Sequence, residues 1–304
     1  MAPRWLTSTA VEVVACSAMT AAIWADRAPV QGLGLMRLTD EGWGDDDRDP
    51  AKLVRAALDE GVSLLDTAEM YGNEELVGRA LGSIRDQVIL CSKFGVYWGD
   101  SGRDDDWTVR ADPATVRSAI DGSLRRLNVD HLDLYYLHHR SEDTPIEETV
   151  TAMAELKQAG KIRALGLSNV TLDDIRRAHA VHPIAAVQDQ WSLNRRGVEE
   201  FLPTLSELGI ALVAHSPLGH GVLNQDDAGD SPLARVASQL GVTTGQVALA
   251  WVHHRGRQAD CTVIPLPGTS SVNHLRANVA ASRIELSESS VRSLEDAVDF
   301  LTDM

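Results

Sequence analysis

The stretch HLDLYYLHHRSEDTPIEETVTAMAELKQAGKIRALGLS, residues 131–168, decides the fold. It opens on an apolar, β-rich run, HLDLYYLH (131–138), and closes on another, IRALGLS (162–168). Between them Pro145 starts a helical stretch that Gly160 ends, with Val150, Met153, Ala154 and Leu156 on one stripe able to bury against a sheet. Strand, amphipathic helix and strand in immediate succession make a βα repeat built on a parallel sheet.

The same unit recurs outward in both directions. VQGLGLM (30–36), VSLLDT (62–67), QVILCSKF (87–94), IAAVQDQWS (184–192), IALVAHS (210–216) and CTVIPLP (261–267) bring the strand candidates to eight. PAKLVRAALDEG (50–61), PATVRSAIDGSLRRLN (113–128) and GVEEFLPTLSELG (197–209) read as helices between them, with Pro near starts and Gly or Asn at ends. No GxGxxG joins a strand to a helix as a dinucleotide-binding doubly wound sheet requires. The expected fold is therefore a (β/α)8 TIM barrel in a single domain over residues 30–304, with residues 1–29 an N-terminal extension of unassigned structure. The 304 residues suit such a barrel, which commonly runs to about 250 or more.

Bulk composition narrows the partners. Apolar residues are 44% and charged residues 24%, with no apolar run long enough for a membrane span. The 28 basic against 44 acidic side chains give a formal charge of −16, which repels nucleic acid and anionic lipid. A small anionic cofactor stays possible, because local donors in a dry pocket outweigh a screened global field. Cys16, Cys91 and Cys261 show neither metal spacing nor even pairing, which fits a reducing compartment and predicts a cytoplasmic location. The alanine-rich N-terminus invites comparison with a secretory signal, but Glu12 interrupts its apolar part.

In a barrel the C-terminal strand ends converge on one mouth, so Asp66, Lys93 and His138, together with Tyr71 just past Asp66, become candidate neighbours. A lysine after the buried run VILC needs a partner, and Asp66 on the adjacent strand is the natural one. A lysine beside a phenol favours the phenolate, which suits Tyr71 to acid catalysis of a carbonyl reduction. His139 is set aside, since its side chain points to the opposite side of the strand from that of His138. The loops TDEGWGDDDRD (39–49) and GVYWGDSGRDDDW (95–107) follow strands and carry tryptophan, which makes Trp43, Tyr97, Trp98 and also Trp191 candidate walls of a substrate pocket.

LLDTAEMYG, VILCSKFG, HLDLYYLHHRSEDTPIEET, GKIRALGLSNV, AAVQDQWSL, LVAHSPLGHGVL, GVTTGQVALAWVHHR and VIPLPGTSSVNHLRANVAA, in this order over about residues 30–304, resemble the aldo-keto reductase family. The resemblance implies a catalytic tetrad of Asp66, Tyr71, Lys93 and His138, with Tyr71 as proton donor, Lys93 tuning it while held by Asp66, and His138 orienting the carbonyl or helping relay the proton. It implies nicotinamide-carboxamide contacts at Ser168, Asn169 and Gln188, and a pyrophosphate loop around Ser216 and Leu218. It also implies an adenosine 2′-phosphate and adenine segment that includes Gly268, Thr269, Ser271, His274 and Asn278.

The pattern departs from the family at several places. His215 replaces the usual tyrosine that stacks on the nicotinamide, His220 stands where many members have arginine, and Ser270 and Ser271 replace basic residues that often follow PGT. Ser271, His274 and Arg276 remain as 2′-phosphate partners, so NADP(H) is favoured over NAD(H), but by less than in the family at large. The resemblance implies a small-molecule carbonyl or alcohol substrate and no metal. Alternatives are an NAD-dependent dehydrogenase of a sugar or pyridoxal-like alcohol, and a cofactor-binding regulatory subunit with little turnover, like those associated with potassium channels. Nothing in the pattern assigns an oligomeric state.

Overall fold

The computed structural model describes residues 23–24, 29–38, 49–101, 103, 105–224 and 231–302. Its strands are β1 (Gly32–Gly34), β2 (Leu64–Asp66), β3 (Ile89–Phe94), β4 (Val96–Trp98), β5 (Trp107–Val109), β6 (Leu132–Leu137), β7 (Ile162–Ser168), β8 (Ala186–Gln190), β9 (Ala211–His215) and β10 (Val263–Leu266). Eight of them pair in parallel in the order β1-β2-β3-β6-β7-β8-β9-β10. Gly34 N donates to Pro267 O at 3.0 Å and Gly34 bridges Gly268, so β1 meets the far edge and the sheet nearly closes into a (β/α)8 barrel. Each of the eight apolar runs read from the sequence contains one barrel strand.

The helices around it are α1 (Pro50–Asp59), α2 (Glu74–Leu81), α3 (Pro113–Leu127), α4 (Ile146–Gln158), α5 (Leu172–Val181), α6 (Leu202–Leu208), α7 (Pro232–Leu240), α8 (Thr244–Gln258), α9 (Val272–Ala281) and α10 (Glu288–Thr302). Local chemistry explains their starts. Asp49 Oδ1 accepts from Ala51 N and Lys52 N at 2.9 and 3.1 Å ahead of α1, and Asp112 does the same for α3, each with Pro at the first helical position. Among the described residues no helix is long and apolar enough to cross a membrane.

Two local expectations change. GVEEFLPTLSELG is not one helix but a 3-10 turn, Gly197–Phe201, followed by α6. Pro203 lacks an N–H to bond back into the preceding turn, so the α-helical hydrogen bonding starts afresh there. Residues 95–112 are not all loop: β4 and β5 form a separate antiparallel ribbon after β3, with Trp98 opposite Trp107.

Side-chain alternation sorts the core into two shells. Leu65, Leu90, Tyr135, Leu165, Val187 and Leu212 face the helices, whereas Leu64, Cys91, Leu134, Tyr136, Ala164, Ala186, Ala211, Val213 and Ile264 fill the barrel. Trp24 belongs to the inner cluster and its indole Nε1 donates to Ala185 O at 3.1 Å, at the N-terminal end of β8. That part of the N-terminal extension therefore stops the bottom of the barrel, which the sequence reading left unassigned. Apart from residues 23, 24 and 29, the extension lies outside the described residues.

Candidate active site

The inward faces of six barrel strands deliver polar side chains to the top of the barrel, whereas β1 offers glycine and β10 apolar Ile264 and Leu266. Asp66 follows Leu64 on β2, Lys93 follows Cys91 on β3, and His138 follows Tyr136 at the end of β6. Ser168, Gln188 and His215 end the inward rows of β7, β8 and β9 in the same way. Tyr71 arrives from the 3-10 turn Glu69–Tyr71 after β2, closed by left-handed Gly72.

Lys93 is only 1% exposed and Asp66 3%, yet both meet partners. Lys93 Nζ lies 2.5 Å from Asp66 Oδ1, 2.9 Å from Thr67 O and 3.4 Å from Tyr71 OH. An ammonium has three donors and no acceptor, so all three are engaged and the third ends on the tyrosine oxygen. With that oxygen accepting from Lys93, the phenol's own hydrogen is left to point elsewhere. Asp66 Oδ2 accepts from Gln188 Nε2 at 2.9 Å. The His138 ring stands edge-on to Tyr71, centroids 5.7 Å apart and planes at 85°. His139, by contrast, packs against Trp107 at 5.1 Å between centroids.

Burial by itself disfavours the charge on Lys93, but Asp66 and then Tyr71 outweigh it, and its pKa lies above the usual lysine value. Burial pushes His138 down to about 2, helped by Lys93, and its Nδ1 is buried without a partner among the described residues. Burial also takes His215 and His253 down to about 4, with Lys93 and Arg257 adding to it respectively. Each of these histidines is neutral in the folded chain and takes a proton near pH 6.5 when unfolded. Stability is thus predicted to fall as pH drops below about 6.5, continuing to about 4 for His215 and His253, at up to about 1.4 kcal/mol per pH unit for each group. Urea midpoints at pH 7 and pH 5 check this; equal midpoints would contradict the neutral assignments.

Beside this cluster lies a cleft of about 580 Å³. It is lined by Asp66, Tyr71 and His138, and by Ser168, Asn169, Gln188, His215, Ser216, Leu218, His220, Gly268, Thr269, His274 and Asn278. Ser271 is the exception among the cofactor residues expected from the sequence. It caps α9, its Oγ accepting from His274 N at 3.5 Å. Arg276 likewise turns away, its Nε 3.1 Å from Glu60 Oε1. Trp191 is no pocket wall: fully buried, it donates to Glu199 and stacks edgewise on Trp251. Neither Trp98 nor Tyr97 lines the cleft: Trp98 Nε1 donates to Met70 O at 3.1 Å, next to Tyr71 in the chain, and Tyr97 lies under Arg110. Trp43 lies outside the described residues.

The cleft also takes in residues that the sequence reading did not single out, among them Met36, Arg37, Asn224, Thr243 and Gln246. Thr243 and Gln246 form a reciprocal cap at the start of α8. That spacing is visible as a capping box, which reads as a helix start and conceals the position over a cleft. Three of the four described non-glycine residues with left-handed backbone border the cleft: Asn169 at φ 51°, Ser216 at 49° and His220 at 57°. Such backbone costs about 1–3 kcal/mol per residue and gathers where a ligand must be clasped.

The polar complement of the cleft can be read atom by atom. Asn169 Nδ2 donates to His138 O and Ser168 Oγ at 2.9 and 3.1 Å, and Gln188 Nε2 to Asp66. Asn169 and Gln188 each retain an amide oxygen, and Ser168 retains a hydroxyl hydrogen. Two acceptors and one donor match a primary carboxamide, which has two N–H groups and one carbonyl.

A family model described as the aldo/keto reductase family matches residues 32–299. The chain is similar to an aldo-keto reductase from Klebsiella pneumoniae solved in complex with NADPH, at 32% identity over 88% of this chain and 90% of that one, TM-score 0.73. It is also similar to the glycerol dehydrogenase from Gluconobacter oxydans, at 27% identity over 89% and 91%, TM-score 0.76. A holo aldo-keto reductase from Bacillus halodurans aligns at 27% identity over 88% and 91%, TM-score 0.72.

Proposed function

The chain belongs to the aldo/keto reductase family and is an NAD(P)H-dependent oxidoreductase, and from that premise we propose that it reduces an aldehyde or ketone to an alcohol, or runs the reverse, with Tyr71 as proton donor. One observation carries the proposal: Lys93 is held by Asp66 and Thr67 so that its remaining donor falls on Tyr71 OH at 3.4 Å. A nicotinamide bound in the cleft supplies or accepts the hydride. Ser168, Asn169 and Gln188 would hold its carboxamide and so fix which face of the ring meets the substrate. Tyr71 hands its proton to the substrate oxygen as negative charge develops there, and Lys93 stabilises the phenolate left behind. Neutral His138, edge-on to Tyr71, orients the carbonyl as a hydrogen-bond partner and adds no charge. His215 offers a flat neutral ring next to Ser216, able to stack on the nicotinamide as an aromatic would.

NADP(H) is favoured over NAD(H), by a modest margin. Ser270 and His274 line the cleft where a 2′-phosphate would lie, whereas Ser271 and Arg276 are engaged elsewhere, and Arg37 is the only lysine or arginine among the described lining residues. A bidentate arginine at the phosphate would discriminate more strongly. Titration with NADPH and with NADH, followed by quenching of tryptophan fluorescence, is expected to show tighter NADPH binding by no more than about tenfold, or about 1.4 kcal/mol. Equal or reversed affinities would favour the second reading, an NAD-linked alcohol dehydrogenase, for which the likeness to a glycerol dehydrogenase speaks.

A further inference from the structure

Beside the Lys93–Asp66 pair the barrel encloses a polar group that the mechanism above leaves out. Tyr136 stands in register with Lys93 on one side and Gly166 on the other, and its ring belongs to the inner cluster. The ring lies against the bare α-carbon of Gly166, where a Cβ would come within 2.4 Å of Cδ1 and 2.5 Å of Cε1. That leans it toward β8, whose Ala186 pairs with Gly166 and whose next inward residue is Gln188. The phenol ends beside the Gln188 amide, with Cys91 and Asp66 close by. Tyr136 is fully buried, and among the described residues its hydroxyl has no partner at hydrogen-bonding geometry. Burial, and then Cys91 and Asp66, push the phenol well above the usual tyrosine value, so the hydroxyl is a donor at every working pH. A buried hydroxyl without a partner is costly, and phenylalanine would fill the same space without that cost.

We propose that Tyr136 is a positioning residue that acts through Gln188, its hydroxyl donating to Gln188 Oε1 while Gln188 Nε2 is committed to Asp66. Phenol and carboxylate together hold the amide in one orientation, with the second lone pair of Oε1 and the second N–H still available. The same contact steadies Asp66, whose other oxygen holds Lys93. Tyr136 thus supports the cofactor-facing amide and the base of the Lys93–Tyr71 pair at once. The inference rests on the reading that this cleft takes a nicotinamide nucleotide.

The test is Tyr136→Phe in the full chain, alone and in a Gln188→Met background. The single variant is expected to melt within about 4 °C of wild type, since one hydrogen bond is lost and the ring's packing is kept, and to bind NADPH about fivefold more weakly, the worth of one ordinary hydrogen bond. In the Gln188→Met background the same replacement is expected to leave NADPH affinity unchanged. Three results would overturn the proposal: an unaltered affinity in the single variant, which would mean that a trapped water alone satisfies the hydroxyl; an equal loss in both backgrounds; or a melting temperature lowered by about 10 °C or more, which would mark a packing role. Wild-type protein that binds neither NADPH nor NADH removes the cleft reading and this inference together. Wild-type binding with an unaffected Tyr136→Phe removes this inference alone.

Discussion

Tyr71→Phe is expected to lower kcat for carbonyl reduction by about 100- to 10,000-fold, the usual contribution of a positioned acid, while NADPH affinity stays near wild type. The separation follows from the geometry. Tyr71 contributes its hydroxyl to the cluster, 3.4 Å from Lys93 Nζ, while the carboxamide-matching atoms belong to Ser168, Asn169 and Gln188. Removing one oxygen therefore takes away the proton and leaves the nucleotide's partners in place. Steady-state rates on a panel of aldehydes and ketones, set beside fluorescence titration, give both numbers. A variant with wild-type kcat would remove Tyr71 from the donor role.

Lys93→Met is expected to damage stability as well as turnover. Asp66 is 3% exposed, and without Lys93 its charge keeps only the Gln188 amide. An uncompensated buried carboxylate costs about 3–5 kcal/mol, which for a chain of this size lowers the melting temperature by roughly 10 °C. Combining Lys93→Met with Asp66→Asn removes the stranded charge, so most of the lost stability is expected to return while activity does not. Thermal melts of the two variants decide the matter: equal melting temperatures would mean that the buried pair contributes nothing specific to the fold.

The two kinds of evidence divide along physical lines at particular residues. Asn128 and Pro113 bound α3 as their chemistry requires, because a cap depends on neighbours only a few residues away. The rim ribbon β4–β5 escaped the reading because GVYWGDSGRDDDW carries the glycine and acidic composition of a loop, and its pairing is worth little until β3 and the first turn after β2 hold it. Trp191 and Trp98 look equivalent as letters. One is sealed against Trp251, whereas the other stands 53% exposed with its indole tied to Met70 O beside Tyr71.

Alternation of side chains along strands and periodicity along helices are local properties, and they alone determined that this chain makes eight parallel strands, six of which carry Asp66, Lys93, His138, Ser168, Gln188 and His215 on their inward rows. Which of those polar atoms are engaged, and by whom, was decided only by closure of the barrel. Ser271 at the cap of α9, Arg276 on Glu60, Trp24 beneath Ala185 and Tyr136 against Gly166 each depend on a partner or a space set by the fold around them. Hydrogen bonds and packing act over a few ångströms, so only the tertiary structure could assign them.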